Sequence, residues 1–373
     1  MLVGLDATPL IGRRTGIGRY VGQLLPELLP LLPGDRSELI ATAFTLRGRG
    51  ELAGRLPDGV ADRSRAVPAR LLHEAWGRAE LPTVTSLVGR LDVFHGTNFV
   101  LPPPGRARGV VTVHDLAYLH SPSTVSAASQ RLRRLVPRAL DRAAVVCTPS
   151  RAVADELAEA YPAASGRIEV TPLGVGAEWA DTPVPDGGWL AARGLPDRYV
   201  LFVGTIEPRK MLPTLLAAKR ALRGTTAGDV PLVLLGPAGW GPQLDLTGIP
   251  EGQVVFTGYL EDDEVRRIVA GAAVLAFPSA AEGFGLPLLE AFAVGVPVVA
   301  SDLPVTREVI GDDPERATLV PPGDAGALAE ALRERLSTPD PPGAADARRT
   351  WARRFTWART AAATVRAYER ALS

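Results

Sequence analysis

The chain has 373 residues, 46% hydrophobic and 22% charged, an ordinary globular composition and enough length for two domains. Its 41 basic residues balance its 41 acidic ones, so no bulk attraction to nucleic acid is implied and any phosphate binding has to be local. The single cysteine, Cys147, excludes a disulfide framework and a cysteine-based zinc site. The start MLVGLDATPL lacks the basic and long apolar regions of a secretory signal, which makes the cytoplasm the expected compartment.

In chain order, residues 2–5 read as a first strand, followed by a glycine-rich turn with Gly12, Gly16 and Gly18 and an apolar helix from about Arg19 to Leu32. These glycines do not match the GxGxxG fingerprint, which argues against an NAD oxidoreductase. Residues 39–44 read as the next strand, 47–62 as a polar loop, and 71–88 as a helix broken at Pro82. Two further strands end in loops carrying His95 and His114-Asp115, positions where open α/β sheets bind ligands. A His-Asp pair there suits a base, a polar hydrogen bonder or a metal ligand. The four histidines, 73, 95, 114 and 120, show no ligand spacing on one helix, so no metal site is expected.

Residues 129–143 read as a helix with five arginines, chiefly a solvated face and secondarily a peripheral membrane contact. A strand at 144–148, a helix capped by Ser150 and a strand at 168–171 complete the first series. The first domain is expected over 1–178, a Pro- and Gly-bearing linker over 179–196, and a second domain over 197–355, with a final helix over 356–373. The second series runs strand 199–203, loop Gly204 to Lys210, helix 212–222, strand 230–235, strand 254–256 and helix 262–270, with a later helix capped by Asp324. Two alternating αβ series predict an α/β protein of two parallel-sheet domains facing a cleft.

Residues 273–300 carry the densest chemistry. Two short apolar runs read as buried strands, and between them Pro287 marks the first turn of a helix and Gly295 its C-terminal cap. The loop Glu282-Gly283-Phe284-Gly285 brings small residues and backbone amides to that helix N-terminus, where an anion such as phosphate is favoured. Glu282 and Glu290 add hydroxyl acceptors, which together with the anion site suggest a sugar nucleotide. Arg209 and Lys210 leave a strand end in the same half and suit a diphosphate. Lys210 and Lys219 are the only lysines among the 41 basic residues, which singles out Lys210 as a place needing a compact ammonium.

With these motifs the chain resembles a retaining glycosyltransferase of family 4, of the GT-B fold, over essentially its whole length. The segments carrying the resemblance are EGFGLPLLE at 282–290 and GTIEPRK at 204–210, supported by VHDL at 113–116, GIGRY at 16–20, TPS at 148–150 and the helix around Trp357. The resemblance implies that Arg209 and Lys210 hold the diphosphate, Glu290 the ribose hydroxyls, and Gly283, Phe284, Gly285 and Leu286 the donor through their amides. Gly16 and Gly18 join the donor site, and Glu282 and His114 contact the transferred sugar. It implies no cofactor and no metal, a nucleoside diphosphate sugar as co-substrate with GDP-mannose ahead of UDP-sugars, and a glycan, lipid-linked glycan or natural product as acceptor. Thr205 departs from the pattern, since many members carry arginine there. A nucleotide-sugar epimerase and a noncatalytic sugar or nucleotide binder are the alternatives.

Overall fold

A computed structural model gives the fold for residues 1–12, 15–32, 37–46, 50–120, 126–311 and 313–373. The chain divides into two compact units. The first comprises Met1–His120, Ala127–Gly174 and Thr356–Ser373, and the second is chiefly Val175–Phe355.

Among the described residues the first unit is built on β1 (Leu2–Asp6), β2 (Glu38–Thr42), β3 (Val60–Asp62), β4 (Val93–Gly96), β5 (Arg108–Thr112), β6 (Ala143–Thr148) and β7 (Ile168–Val170). All pairings are parallel, in the order β3-β2-β1-β4-β5-β6-β7. The second unit is built on β8 (Val200–Val203), β9 (Leu232–Leu235), β10 (Val254–Gly258), β11 (Val274–Phe277), β12 (Val298–Ser301) and β13 (Ala317–Val320). It too is parallel, in the order β10-β9-β8-β11-β12-β13. The strands are continuous runs of Val, Leu, Ile and Ala because helices cover both faces of a parallel sheet. Burial of β4, β8, β9, β11 and β12 along their whole length shows this directly.

In each sheet the chain turns back past its first strand, so the order reverses between β1 and β4 and again between β8 and β11. The carboxyl ends of these strand pairs open a crevice with no crossover helix above it. Topology alone therefore selects the loops after β8 and β11 in the second unit, and those after β1 and β4 in the first.

Several elements differ from the sequence reading. The first helix is Gly16–Leu28, so Gly16 and Gly18 lie within its first turn, with Gly16 exposed and Gly18 buried, rather than in a loop before it. Thr15 holds the extended N-cap conformation that starts it. The expected helix over 71–88 is two short helices, Ala69–Trp76 and Val84–Val88, and the segment read as a polar loop contains β3. Residues 47–49 of that loop lie outside the described residues. The expected linker, 179–196, is ordered structure of the second unit. Its helix Gly187–Ala191 is capped by Asp186, whose carboxylate accepts the Trp189 amide at 2.8 Å, and Trp179, Leu190 and Leu195 are buried.

The final helix, Trp357–Leu372, starts at Thr356, whose hydroxyl accepts from the Arg359 amide, and belongs to the first unit. The Thr360 hydroxyl donates to the Pro172 carbonyl at 2.6 Å, and Tyr368 reaches His95 at 2.8 Å.

Candidate functional site

In the second unit β8 ends at Val203, and the chain passes through Gly204 to Glu207 before the tight turn Pro208–Lys210. Met211 closes that turn in the left-handed region at φ 53°, a conformation costing a residue with a Cβ on the order of 1 kcal/mol. The turn is fixed from the other loop as well, because the Ala280 amide donates to the Arg209 carbonyl at 2.9 Å. Two loops from the two switch-point strands are thus joined by backbone.

Across this junction the charged side chains converge. Lys210 Nζ lies 2.5 Å from one Glu282 carboxylate oxygen, and Arg209 Nη1 lies 3.1 Å from the other. The Arg209 Nε contacts Glu207 at 2.5 Å, and its Nη1 also donates to the Ala281 carbonyl at 3.2 Å. Two cations meet two carboxylates, and the side chains of Lys210, Glu207 and Glu282 are each less than a tenth exposed. Such shielding keeps the interactions strong, whereas exposed pairs contribute little.

The two carboxylates do not behave alike. Burial pulls Glu282 upward, but the charges of Lys210 and Arg209 outweigh it and hold the group below its ordinary value. Burial also raises Glu207, and there it prevails, with Glu282's charge adding to it against Arg209 and Lys210. Glu282 is therefore the firmly ionised member and Glu207 the one that takes a proton first.

Glu282 leads into the helix Leu286–Ala293, which begins after Gly285 at φ 99° and carries Pro287 in its first turn. The helix stops as its sequence demands. Gly295, at φ 85°, donates its amide to Phe292, and Val296 donates to Ala291, the paired bonds of a left-handed cap. Phe284 is buried edge-on against Phe355 with ring centres 6.1 Å apart, Leu286 is buried at the helix start, and Glu290 is buried one turn in. The first-turn amides and the helix dipole favour an anion beside the two cations. Lys219, the other lysine, has no part in this crevice. Its ammonium donates to Gly228 O, Val230 O and Gln253 Oε1 at 2.6 to 2.7 Å, and burial lowers its pKa to about 8.

The remaining site residues of the sequence reading, Gly16, Gly18 and His114, lie in the first unit. His114 follows β5 and is buried, with Tyr20 and Phe99 edge-on at 5.2 and 5.5 Å. Its Nε2 sits 2.8 Å from the Thr97 carbonyl, so Nε2 carries the proton and donates. Burial holds the ring below the usual histidine pKa, against the Thr97 carbonyl and Asp115, so it is neutral near pH 7. Thr97 also donates from its hydroxyl to the Asp6 carbonyl at 2.6 Å, which ties the ends of β1 and β4 together. His95 is bonded on both sides, to Tyr368 at 2.8 Å and Thr112 at 2.7 Å, and burial drives its pKa to about 3. A separate concavity of about 380 Å³ lies past β2 and β3, lined by Thr45, Asp62, Ser64 and Arg65 among others. Among the described residues no group of His, Cys, Asp or Glu is arranged to hold a metal ion.

Sequence reasoning missed Glu207 and the His95 network. Glu207 stands two positions before Arg209 in the same motif, and an acidic residue in an otherwise apolar strand-to-turn segment is the signal that could have found it.

Comparison with known families decides the class. The model for Glycosyltransferase Family 4 matches residues 14–179, and that for Glycosyl transferases group 1 matches residues 197–338. The chain belongs to these glycosyltransferases. Among curated relatives, this glycosyltransferase is 28% identical to the O-antigen chain mannosyltransferase B of Escherichia coli, over 95% of this chain and 96% of that one. It is 32% identical to an MMP alpha-(1->4)-mannosyltransferase of Mycolicibacterium hassiacum, over 65% of this chain and 56% of that one. Among solved structures, a sucrose-phosphate synthase from Thermosynechococcus elongatus matches with TM-score 0.72 and 21% identity, over 99% of this chain and 98% of that one. Anabaena HepE in complex with UDP-glucose matches with TM-score 0.70 and 18% identity over 98% of each chain. The fold of the glycosyltransferase is GT-B.

The arginine-rich segment of this glycosyltransferase has most of its charge met within the fold. Arg133 donates to the Tyr118 and Leu119 carbonyls, Arg134 pairs with Glu74 at 2.8 Å, and Arg142 is bonded to Glu80 and to three carbonyls. Among the described residues no helix is long and apolar enough to cross a membrane.

Proposed function

We propose that the protein moves a sugar from a nucleoside diphosphate sugar to an acceptor hydroxyl with the anomeric configuration retained. The observation that carries this reading is the convergence of Lys210 and Arg209 on Glu282 at the switch point of the second sheet, beside a helix N-terminus. As the bond from the sugar's anomeric carbon to phosphate breaks, its electron pair passes to the departing diphosphate. Preorganised cations and amides stabilise that charge where water is scarce. With no diphosphate bound, Glu207 and Glu282 balance the two cations and hold them in position.

Glu282 is clamped by two cations, which makes it a weak nucleophile, so its role in this reading is to position the transferred sugar. The acceptor oxygen attacks on the face the diphosphate leaves, and its proton passes to the departing phosphate oxygen. No pair of carboxylates like a glycosidase's is then required. Glu290 binds the ribose hydroxyls, and the amides of Gly283, Phe284, Gly285 and Leu286 bind the donor. His114, neutral and with its Nε2–H donating to the Thr97 carbonyl, has Nδ1 left to accept from a sugar hydroxyl. Gly16 and Gly18, in the first turn of the first helix, have backbone amides to offer an anionic group. Because Arg209 and Lys210 supply the positive charge, the reaction needs no metal ion, and chelation with EDTA leaves the rate unchanged.

The donor in this reading is GDP-mannose, with UDP-sugars next, and the relatives named as mannosyltransferases support mannose as the sugar moved. The acceptor is a glycan, a lipid-linked glycan or a natural product, and the concavity beyond β2 and β3, with Asp62 and Thr45, suits a polyhydroxylated molecule. Peripheral membrane contact draws little support from arginines already paired within the fold.

The test is NMR of the anomeric proton after incubation with GDP-mannose or UDP-glucose, with and without an acceptor panel. Transfer with retained configuration is expected only when acceptor is present. An isomerised donor in its absence would favour the epimerase reading, and an inverted product would remove the front-face mechanism.

A further inference from the structure

Trp240 stands apart from the other tryptophans. Trp76, Trp179 and Trp357 are buried, while Trp189 and Trp351 lie beneath arginine guanidinium groups at 3.9 Å. Trp240 is 38% exposed, and among the described residues its indole makes no hydrogen bond or ring contact. Its sequence neighbours, Gly239 and Gly241, have no side chains with which to cover the ring.

The position is held by backbone. Trp240 lies in the loop after β9, the strand beside β8, and that loop is bridged to the segment leading into the cationic turn. The Ile206 amide donates to the Pro237 carbonyl at 3.0 Å, and Ile206 pairs in parallel with Ala238. A Cβ on Gly239 would meet the Ile206 carbonyl oxygen at 2.4 Å, so only glycine permits this approach. The loop after β9 is thus fastened to the chain that carries Glu207, Arg209 and Lys210. A large flat apolar ring is exposed on a loop whose backbone abuts the cationic turn, since a Cβ on Gly241 would meet Pro208 Cγ at 2.8 Å. Exposed apolar surface is unfavourable in the free protein, and an indole is well suited to stack on a planar ring.

We infer that Trp240 is the stacking platform for the nucleobase of the donor. This rests on the nucleotide-sugar reading above. Stacking depends on the base and not on the phosphates, which separates it from the ionic cluster.

The experiment is calorimetric titration of GDP, UDP and inorganic pyrophosphate into wild-type, Trp240→Ala and Trp240→Phe proteins. Trp240→Ala weakens nucleotide binding roughly 10- to 100-fold, in line with loss of one base–aromatic stack, and leaves pyrophosphate affinity unchanged. Trp240→Phe recovers part of the loss, and the nucleotide-induced change in tryptophan fluorescence disappears in both variants. Unchanged nucleotide affinity in Trp240→Ala overturns the inference while leaving the proposed function standing. An equal loss for pyrophosphate overturns it too, since the loop would then only support the turn. Wild-type protein that binds neither nucleotide nor pyrophosphate would remove the proposed function and this subsite together.

Discussion

The two switch points share a topology and differ in chemistry. In the second unit the crevice at β8 and β11 is ionic, with Lys210 and Arg209 set against Glu282 and Glu207. In the first unit the histidines near the ends of β4 and β5, His95 and His114, are held unprotonated by burial and bonded to Thr112, Tyr368 and Thr97, and burial also raises the pKa of Asp6 at the end of β1. The parallel sheet determines where a ligand enters, and the side chains determine which ligand that is. Ionic groups suit a diphosphate, whereas neutral donors and acceptors suit sugar hydroxyls.

The sharpest way to break this contrast is to remove a cation from the second unit. Lys210→Ala is expected to lower turnover by about two to three orders of magnitude, the scale seen when a preorganised charge-stabilising group is lost. Circular dichroism at room temperature should still report a folded chain, and near-normal turnover would remove Lys210 from the site. Glu282→Ala is expected to lower turnover for a different reason, with the sugar misplaced rather than the diphosphate released, so donor affinity should fall less than in Lys210→Ala. The pair also has a stability signature. Breaking a buried ion pair from one side costs about 3–5 kcal/mol, while removing both charges costs less. The double variant Lys210→Met with Glu282→Gln should therefore melt above Lys210→Ala, and a lower midpoint would contradict the buried pairing.

The legibility of the sequence followed the same division. The helix after Glu282 was readable because Pro287 and Gly295 each act through their own backbone, and local chemistry is written locally. The meeting of Arg209 and Lys210 with Glu282 was foreshadowed by their place after a strand in the same half of the chain, and the structure brings the three side chains together. The partner of His95 was not, since Tyr368 is 273 positions away and only the folded chain brings them together. Gly16 misled because glycine is a poor helix former, yet the helix starts there, directly after Thr15 in its extended N-cap conformation. The three-residue β3 is partly exposed and too short to show a period, and β13, read as nothing at all, has only its two end residues buried.

Acid sharpens the comparison further. His95 is lowered from 6.5 to about 3, so between those values the unfolded chain takes up a proton that the folded one refuses. Stability from this group is complete above pH 6.5 and falls by about 1.4 kcal/mol per pH unit below it. Glu282, lowered from 4.5, gives stability that is complete above that pH and is lost only as pH falls further through its folded value. Hydrogen exchange at pH 5 should show the first unit loosening before the second, and the reverse order would contradict the assignment of charges.

Smaller effects follow from single contacts. Tyr368→Phe removes the hydroxyl from His95 and is expected to cost about 1–3 kcal/mol, because the buried ring nitrogen is left unsatisfied. Thr356→Ala removes the cap of the final helix and should cost about 1 kcal/mol. Denaturant titration measures both, and equal losses would mean the His95 network is no stronger than a surface cap.

The most direct test of the account is calorimetric titration of GDP into wild-type protein and the Lys210→Ala variant. Saturable binding by the wild type that is lost or weakened at least tenfold in the variant is the expected result. Equal affinity in the two proteins would mean that the ionic crevice of the second unit does not grip a diphosphate.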